Sequence, residues 1–395
     1  MATPDLVQIP LSPAFFHGAV ELEETEHGVA PHRLPSWARS QNTDQQMATV
    51  EAQSSGVRLN LRTAASVIEL QTRRSRTSYA GVPPRPDGVI ELVHEGEVIG
   101  HSVTSGGTSA VIDMSTGEVD REVGPSHTAL FTGLPPGVKE LELWLPHQEI
   151  TEVIGLRSDA PVEPVNSSQP IWVHHGSSIS HGSSATRPTG IWPVVAAKHA
   201  QLDLLNLGFG GSALLDPFVA RTIRDLPADV ISLKLGINLV NSDVMRLRAL
   251  GPAVHGFLDT IREGHPETPL LVVSPIYCGI HEDTPGPGAF DLDAIAQGTM
   301  RFKATGDPSE SQAGKLTLTV IRMELARVVG QRRTTDANLH YLDGRELYAE
   351  GDSLEHPLPD ALHPDAETHR LIGERFAAAA ALGPFHALTD EVHHH

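Results

Sequence analysis

The sequence has 395 residues, of which 39% are hydrophobic and 20% are charged. This composition excludes an intrinsically disordered chain and predicts about two domains. The net charge of −20 argues against nucleic acid and anionic membranes as partners, and the single cysteine, Cys278, excludes both an intrachain disulfide and a cysteine-based metal site.

No targeting segment is predicted. Residues 1–18 have neither a basic start nor an apolar run, and no stretch of about 18 apolar residues follows. We therefore expect a cytoplasmic chain without a membrane partner. His393, His394 and His395 resemble the remnant of a purification tag and are left out of the chemistry.

Residues 1–165 show short alternating runs between turn residues, which predict a β-sandwich domain. Residues 89–94 and 98–103 read as a hairpin that turns at Gly96. In residues 139–145 the leucines share one face, as in a strand with one buried side. The polar, proline-containing stretch 160–170 predicts the domain boundary.

Residues 170–390 alternate strand and helix patterns, which predict a doubly wound α/β domain with a parallel sheet. Ligands of such sheets bind beyond the carboxyl ends of the strands, so the residues at those ends are the candidates for function. The predicted strands are 171–175, 202–207, 229–235, 269–277 and 339–343, and the predicted helices are 214–225, 244–263, 315–332 and 365–382.

The first of these strands runs into Ser178, and His363 and Asp360 follow the last one. A serine hydroxyl becomes a nucleophile when a base takes its proton, and an imidazole does this near neutral pH. One turn of chain can bring the Asp360 carboxylate onto the imidazole of His363, where it would fix the tautomer. The three residues are therefore candidates for acyl transfer through a serine nucleophile.

Gly211 and Asn238 follow the second and third strands. The tetrahedral stage of acyl transfer places negative charge on an oxygen, which needs preset donors. Gly211 can offer a backbone N–H at close approach, and Asn238 can offer an amide N–H. We expect both to form an oxyanion hole with the N–H of Ser178.

The chain resembles the GDSL (SGNH) family of serine esterases and acyltransferases over roughly residues 170–382. The resemblance assigns the nucleophile to Ser178, the base and its partner to His363 and Asp360, and the oxyanion hole to Gly211 and Asn238. The matching blocks are Gly176-Ser177-Ser178-Ile179-Ser180, Asn206-Leu207-Gly208-Phe209-Gly210-Gly211, Gly236-Ile237-Asn238 and Asp360-Ala361-Leu362-His363-Pro364.

This resemblance implies an SGNH hydrolase fold of flavodoxin-like type, preceded here by a sandwich of jelly-roll or carbohydrate-binding-module type. Within the family, a closer resemblance is to acyltransferases that act in tetracycline-type antibiotic biosynthesis. They imply transfer of an aryl acyl group from an acyl-coenzyme A co-substrate to a hydroxyl of a polyketide acceptor, with no bound cofactor. Ser177 and Leu239 depart from the family blocks, where an aspartate stands at each position, and put the local loop geometry in question.

Two other functions stay open. The same residues could serve an esterase that hydrolyses small carboxylic esters or acetylated sugars. Alternatively, the departures at Ser177 and Leu239 would suit an inactive protein that binds carbohydrate through its sandwich. The N-terminal domain could contact a carbohydrate or the acceptor in either case.

The stretch 279–314 is rich in Gly and Pro and longer than most connections, so we expect a lid or a disordered loop. Arg301 and Lys303 within it are candidates for contacts with the phosphates of coenzyme A.

Two further patterns in the sequence have competing interpretations. The G-x-G-x-x-A pattern at 208–213 also fits a dinucleotide fold, but the next strand ends without the carboxylate that holds a ribose. Two groups of histidines could be interpreted as metal ligands. The spacing of these histidines does not favour a metal site, and we expect no metal. These groups are His174, His175 and His181, and His356, His363 and His369 with Asp352 and Asp360.

Overall fold

A computed structural model describes residues 5–113 and 116–381 of the chain. The residues 393–395 and the predicted helix end at 382 lie outside the described part. The chain divides into two compact units. The first contains Thr49–Ser168, Thr186–Thr189 and the chain up to Ser36. The second contains Trp37–Ala48, Gln169–Ala185 and the chain from Gly190 onward.

The first unit is rich in β-structure, as the alternating sequence pattern predicts. Its strands are β1 (Val7–Ile9), β2 (Phe16–His17), β3 (Glu21–Glu24), β4 (Val29–His32), β5 (Arg58–Thr63), β6 (Val67–Tyr79), β7 (Val89–His94), β8 (Glu97–Val103), β9 (Thr108–Ile112), β10 (Val119–Val123), β11 (His127–Thr132), β12 (Lys139–Trp144), β13 (Ile150–Ser158) and β14 (Val162–Pro164). A 3-10 turn spans Pro13–Phe15. Between β4 and β5 the chain forms helices α1 (Ser36–Gln41) and α2 (Gln45–Ala52), and the stretch Trp37–Ala48 of these helices belongs to the second unit.

Within the described residues these strands form two sheets. The strand path of one is β10-β9-β6-β13-β4-β3, with β1 on β13 and β11 on β6; that of the other is β14-β5-β12-β7-β8, with β2 on β5. Side chains alternate between the faces of a strand, and in β11 every second residue is buried. Leu59 and Leu141 from one sheet and Leu70 and Phe131 from the other belong to the same buried cluster. The predicted hairpin of β7 and β8 is present as an antiparallel pair.

The second unit is built on a parallel sheet. Its five strands are β15 (Ile171–Gly176), β16 (Asp203–Gly208), β17 (Val230–Lys234), β18 (Leu270–Val273) and β21 (Leu339–Leu342), in the order β16-β15-β17-β18-β21. The longer helices are α4 (Trp192–Ala200), α5 (Pro217–Asp225), α7 (Leu247–Gly264), α9 (Leu318–Arg332) and α11 (Ala366–Ala381). Shorter ones are α3 (Ser178–His181), α6 (Ile237–Asn241), α8 (Leu292–Ala296) and α10 (Asp352–Glu355), with 3-10 turns at Pro188–Gly190, Pro308–Ala313 and Gly344–Glu346.

The central strands of this sheet are buried along their whole length, which is typical of parallel strands covered on both faces. Every residue of β17 and β18 is buried. Helix α4 packs on α11, while α7 packs on both α5 and α9. The strand order places the ends of β16, β15 and β17 side by side, so the residues that follow these strands come together at one edge.

The predicted strand 269–277 is too long, because β18 ends at Val273. Pro275 has no N–H to donate to a ladder, and the chain leaves the sheet before it. The stretch 279–314 is not disordered: it contains α8 and an antiparallel pair of β19 (Gly288–Phe290) and β20 (Phe302–Ala304). None of the helices in the described part of the chain combines the length and apolar character needed to cross a bilayer.

Candidate active site

Ser178 is the first residue of the short helix α3, directly beyond the end of β15. Ser177 caps this helix, because its Oγ accepts a hydrogen bond from the N–H of Ile179 at 3.4 Å. Capping is a role that serine and aspartate share. The departure at Ser177 therefore leaves the turn intact, with the half-buried Ser178 at its start.

His363 and Asp360 lie next to Ser178. The Nε2 of His363 is 3.0 Å from the Oγ of Ser178, and its Nδ1 is 2.7 Å from Oδ2 of Asp360. Between them Ala361 has a φ of +66°, an unusual value for a residue with a Cβ, and its turn folds the carboxylate back onto the ring. The three side chains thus form a continuous hydrogen-bonded row from hydroxyl to imidazole to carboxylate.

The Asp360 carboxylate is held in its charged form. Burial by itself raises the pKa of this carboxyl, but hydrogen bonds from the His363 ring and from the backbone N–H groups of His363 and Leu362 outweigh burial and lower the pKa. An ionised carboxylate accepts the Nδ1–H of His363 and so favours, for a neutral ring, the tautomer in which Nε2 accepts a hydrogen bond. Nε2 is then the acceptor that the Ser178 hydroxyl needs.

Three hydrogen-bond donors that follow the neighbouring strands β15, β16 and β17 have no acceptor among the described residues. They are the backbone N–H groups of Ser178 and Gly211 and the Nδ2 of Asn238. The Oδ1 of Asn238 accepts from the N–H of Ala213 at 3.1 Å, which fixes the orientation of the carboxamide. Gly211 follows β16 and Asn238 lies on α6 after β17, so they flank the strand that leads to Ser178.

Asn206 is the first residue of the sequence block that ends at Gly211, and it connects this block to helix α3. Its Nδ2 donates to the carbonyl of Ser180 at 2.9 Å, and its Oδ1 accepts from the N–H of Gly208 at 3.0 Å. A Cβ at Gly208 would come within 2.6 Å of the backbone of α3, so only glycine allows this approach. The sequence alone did not indicate this role of Asn206, because its partner Ser180 lies in a different sequence block.

Phe302 is a residue at the site that no sequence pattern indicated. Its ring meets the ring of His363 edge-on, with centroids 5.6 Å apart, and its N–H donates to the carbonyl of Asp360 at 2.8 Å. The ring of Phe290 lies 5.0 Å away, across the β19–β20 pair. The long stretch 279–314 therefore supplies an aromatic surface beside the imidazole.

Arg301 and Lys303 flank Phe302 and are both exposed. The Nζ of Lys303 lies 3.3 Å from Oδ1 of Asp291, a carboxylate that would compete with a phosphate group. Nothing in the geometry links either side chain directly to Ser178 or His363.

The histidines considered as metal ligands have other partners. His174 lies between Ser180 and Ser232, at 2.8 and 2.7 Å, while His175 and His181 bond to the carbonyls of Leu207 and Gly208. Within residues 5–113 and 116–381, no group of three or more His, Cys, Asp and Glu side chains is placed to hold a metal ion.

Two family models match the chain. Residues 168–279 match the GDSL-like Lipase/Acylhydrolase family, and residues 14–152 match the N-terminal domain of SsfX3. No curated protein sequence shows significant similarity to the chain.

Several solved structures share the fold. The salicylyl-acyltransferase SsfX3 from a tetracycline biosynthetic pathway is 28% identical with a TM-score of 0.78, covering 96% of this chain and 98% of its own. A candidate GDSL-like lipase from Bacteroides ovatus is 17% identical with a TM-score of 0.66, again over 96% and 98%. A family two carbohydrate esterase from Clostridium thermocellum is 13% identical with a TM-score of 0.56, over 83% and 92%.

The last two similarities concern the fold alone, because their sequence identity is low. The first extends over both units at higher identity. The resemblance of this chain to the GDSL family, and within it to the salicylyl-acyltransferase SsfX3, is therefore confirmed, and the chain carries a GDSL-like lipase/acylhydrolase domain.

Proposed function

We propose that this chain is a serine-dependent acyltransferase. It moves an aryl acyl group from a coenzyme A thioester to a hydroxyl of a polyketide, tetracycline-type acceptor, through an acyl-Ser178 intermediate. The observation that carries the proposal is the row Ser178, His363 and Asp360, with contacts of 3.0 and 2.7 Å. The similarity to a salicylyl-acyltransferase supports the choice of acyl group and acceptor.

In the first half-reaction the Oγ of Ser178 attacks the thioester carbonyl while its proton passes to Nε2 of His363. Asp360 stabilises the resulting imidazolium. The oxyanion accepts hydrogen bonds from the N–H groups of Ser178 and Gly211 and from Nδ2 of Asn238. The C–S bond then breaks, the imidazolium returns its proton to the departing sulfur, and the acyl ester of Ser178 remains.

In the second half-reaction the acceptor hydroxyl takes the place of the thiol. Nε2 of His363 removes its proton as its oxygen attacks the acyl carbonyl, and the same donors hold the new oxyanion. When the ester bond to Ser178 breaks, the imidazolium gives the proton to Oγ. The enzyme is restored, and the product is the acylated acceptor.

Water in place of the acceptor gives the alternative function, an esterase for small esters or acetylated sugars. The match of residues 168–279 to the GDSL-like Lipase/Acylhydrolase family supports this second candidate. An inactive binding protein is less well supported. Ser177 still caps helix α3, so its departure from the family pattern leaves the turn in place. Leu239 is a buried apolar residue, so its departure is accommodated by packing within the unit.

The test is turnover of a benzoyl- or salicylyl-coenzyme A donor, followed as release of free thiol. Ser178→Ala should abolish release. The chain offers a matched control: Gly182-Ser183-Ser184 repeats the local sequence, so Ser184→Ala should leave the rate unchanged. Full turnover by Ser178→Ala would overturn the proposal.

The partition of the acyl group separates the two candidates. With a hydroxylated polycyclic aromatic acceptor present, a transferase yields the ester, whereas an esterase yields the free acid at a rate independent of the acceptor. Chromatography of both products over a range of acceptor concentrations measures this ratio.

That the first unit contacts a carbohydrate or the acceptor stays a prediction. A groove lined by residues of strands β5, β7 and β12 is the place to test it. It has a volume of about 630 Å³ and is lined by polar side chains that include Asn60, Arg62, His94 and Glu142. Among the residues that the structure describes, the Oδ1 of Asn60 is buried there without a hydrogen-bond partner. Glycan binding that is lost in Asn60→Ala would support the contact, and no binding by wild type would remove it.

A further inference from the structure

Gln46 lies on helix α2, more than a hundred residues before the nucleophile. The turn that leads into the helix is fixed by two side chains: Asn42 Oδ1 accepts from the N–H of Asp44 at 2.9 Å, and Asp44 Oδ1 accepts from the N–H of Gln46 at 2.8 Å. Gln46 belongs to the stretch Trp37–Ala48, which is part of the second unit. Its side chain is exposed but directed at one acceptor.

That acceptor is the carbonyl oxygen of Gly210, to which Nε2 of Gln46 donates at 2.9 Å. The carbonyl of Gly210 and the N–H of Gly211 belong to the same peptide group. A peptide group is planar and trans, so its C=O and N–H point in opposite directions. A bond that holds the oxygen therefore sets the direction of the Gly211 N–H.

The glycine loop needs such a constraint. Gly211 has a φ of +77°, and glycine populates both signs of φ at little cost. With glycine on both sides of the peptide group, no Cβ restricts its rotation. The stem of Gln46 also covers Gly211, since a Cβ at this glycine would lie 3.5 Å from Cγ of Gln46.

The same hydrogen bond polarises the peptide group. A donor on a carbonyl oxygen draws electron density toward the oxygen and makes the N–H of that peptide a stronger donor, as in a chain of hydrogen bonds. Both effects act on the N–H that faces the developing oxyanion. Both matter more in the transition state than in the ground state.

We propose that Gln46 is a positioning residue for the oxyanion hole: by bonding to Gly210 it orients and strengthens the Gly211 N–H during acyl transfer. This inference rests on the proposed function of Ser178 and Gly211. It makes a segment far upstream of the family blocks part of the acylation machinery.

Three substitutions test the bond. Gln46→Met keeps the length and removes the donor. Gln46→Glu keeps the shape but offers an acceptor where a donor is needed, so it should be the weaker enzyme of the two. Gln46→Lys returns a donor at similar reach and should recover part of the loss. The readout is the acylation rate constant with a saturating aryl ester, together with the ester concentration that gives half of that rate.

For Gln46→Met we expect an acylation rate about 3- to 15-fold lower, as fits the loss of one neutral hydrogen bond. The half-saturating ester concentration should stay unchanged. An aryl trifluoromethyl ketone, which forms a tetrahedral adduct with a serine hydroxyl, should inhibit Gln46→Met more weakly by a similar factor.

The matched control is Gln41→Met. The Oε1 of Gln41 accepts from Nη2 of Arg221, so this residue anchors the same segment without touching the glycine loop. Gln41→Met should keep the wild-type acylation rate. Equal losses in Gln41→Met and Gln46→Met would mean that Gln46 only anchors the segment, and this would overturn the inference.

Two other results would also overturn it. An unchanged rate in Gln46→Met would show that the Gly211 N–H needs no such support. A change only in the ester concentration that gives half of the maximal acylation rate would show that Gln46 contacts the substrate instead. If wild type itself neither turns over esters nor acylates Ser178, the proposed function fails, which is a distinct outcome.

Discussion

The Nε2 of His363 lies 3.0 Å from the Oγ of Ser178, although 185 positions separate the two residues along the chain. One follows the first parallel strand in chain order and the other follows the last, so the folded sheet is what brings them together. The contact therefore joins the segments that follow the first and the last strand of the parallel sheet.

Replacing His363 by alanine removes the general base. The rate of thiol release should fall by about 10² to 10⁴, the range that proton transfer by a positioned side chain contributes. His356→Ala is the control, since His356 lies on the same segment and its imidazole contacts Glu367 at 4.0 Å. Activity that survives in His363→Ala but is lost with a chelator would indicate a metal hydrolase instead.

The substitution Asn238→Asp distinguishes the role of the Oδ1 atom of Asn238 from that of its Nδ2 atom. The aspartate keeps an oxygen for the N–H of Ala213, so the loop should hold its conformation. It loses the Nδ2 donor and adds negative charge near the oxyanion. We expect kcat to fall by roughly 10² to 10³ or more, as for the loss of one oxyanion donor. An unchanged kcat with an unchanged circular dichroism spectrum would remove Asn238 from the oxyanion hole.

Buried histidines predict how stability depends on pH. Burial lowers the pKa of His175 and His369 to about 4 and the pKa of His174 well below its usual 6.5. The folded state thus keeps them neutral while the unfolded chain protonates them. Their contribution to stability is present above about pH 6.5 and is lost as pH falls toward 4, at up to about 1.4 kcal/mol per pH unit for each residue.

Urea unfolding at several pH values between 7.5 and 4.5 measures this slope. His369→Gln should flatten it, because one of the neutral histidines is gone, whereas His199→Gln at an exposed position should not. A free energy of unfolding that is constant over this range would contradict the burial of these rings.

Arg301→Ala and Lys303→Ala test the predicted phosphate contacts of coenzyme A. If the side chains bind those phosphates, each substitution raises KM for an acyl-coenzyme A donor and leaves KM unchanged for the same acyl group on N-acetylcysteamine, which lacks phosphates. The variant Asp291→Asn removes the carboxylate that pairs with Lys303, so it should lower KM for the coenzyme A donor. Equal effects on both donors would exclude a phosphate contact.

Much of the α/β region follows from local patterns in the sequence. Apolar runs predict strands β15, β16, β17 and β21 to within about two residues, since parallel strands are buried on both faces. Helix α5 begins later than predicted because Leu215 has a φ of +66° and Pro217 takes the first helical turn. The strands β19 and β20 have three residues each, too few for any periodicity to be visible.

The residues that support the site were harder to predict than the ones at its centre. Ser178 and His363 can be identified from their neighbours in the sequence, because Ser178 lies in a turn after a predicted strand and His363 lies three residues after Asp360. Phe302 and Gln46 act through contacts with Asp360, His363 and Gly210 that depend on how distant segments pack. Neither has a neighbouring residue that indicates its partner.

The most direct measurement is the mass of the Ser178 peptide after a brief reaction with benzoyl-coenzyme A, quenched in acid, digested and analysed by mass spectrometry. Wild type should carry one benzoyl group on Ser178, and a hydroxyl acceptor added before the quench should remove it. Wild type that releases thiol at full rate while Ser178 remains unmodified, with the same rate in Ser178→Ala, would contradict the covalent mechanism.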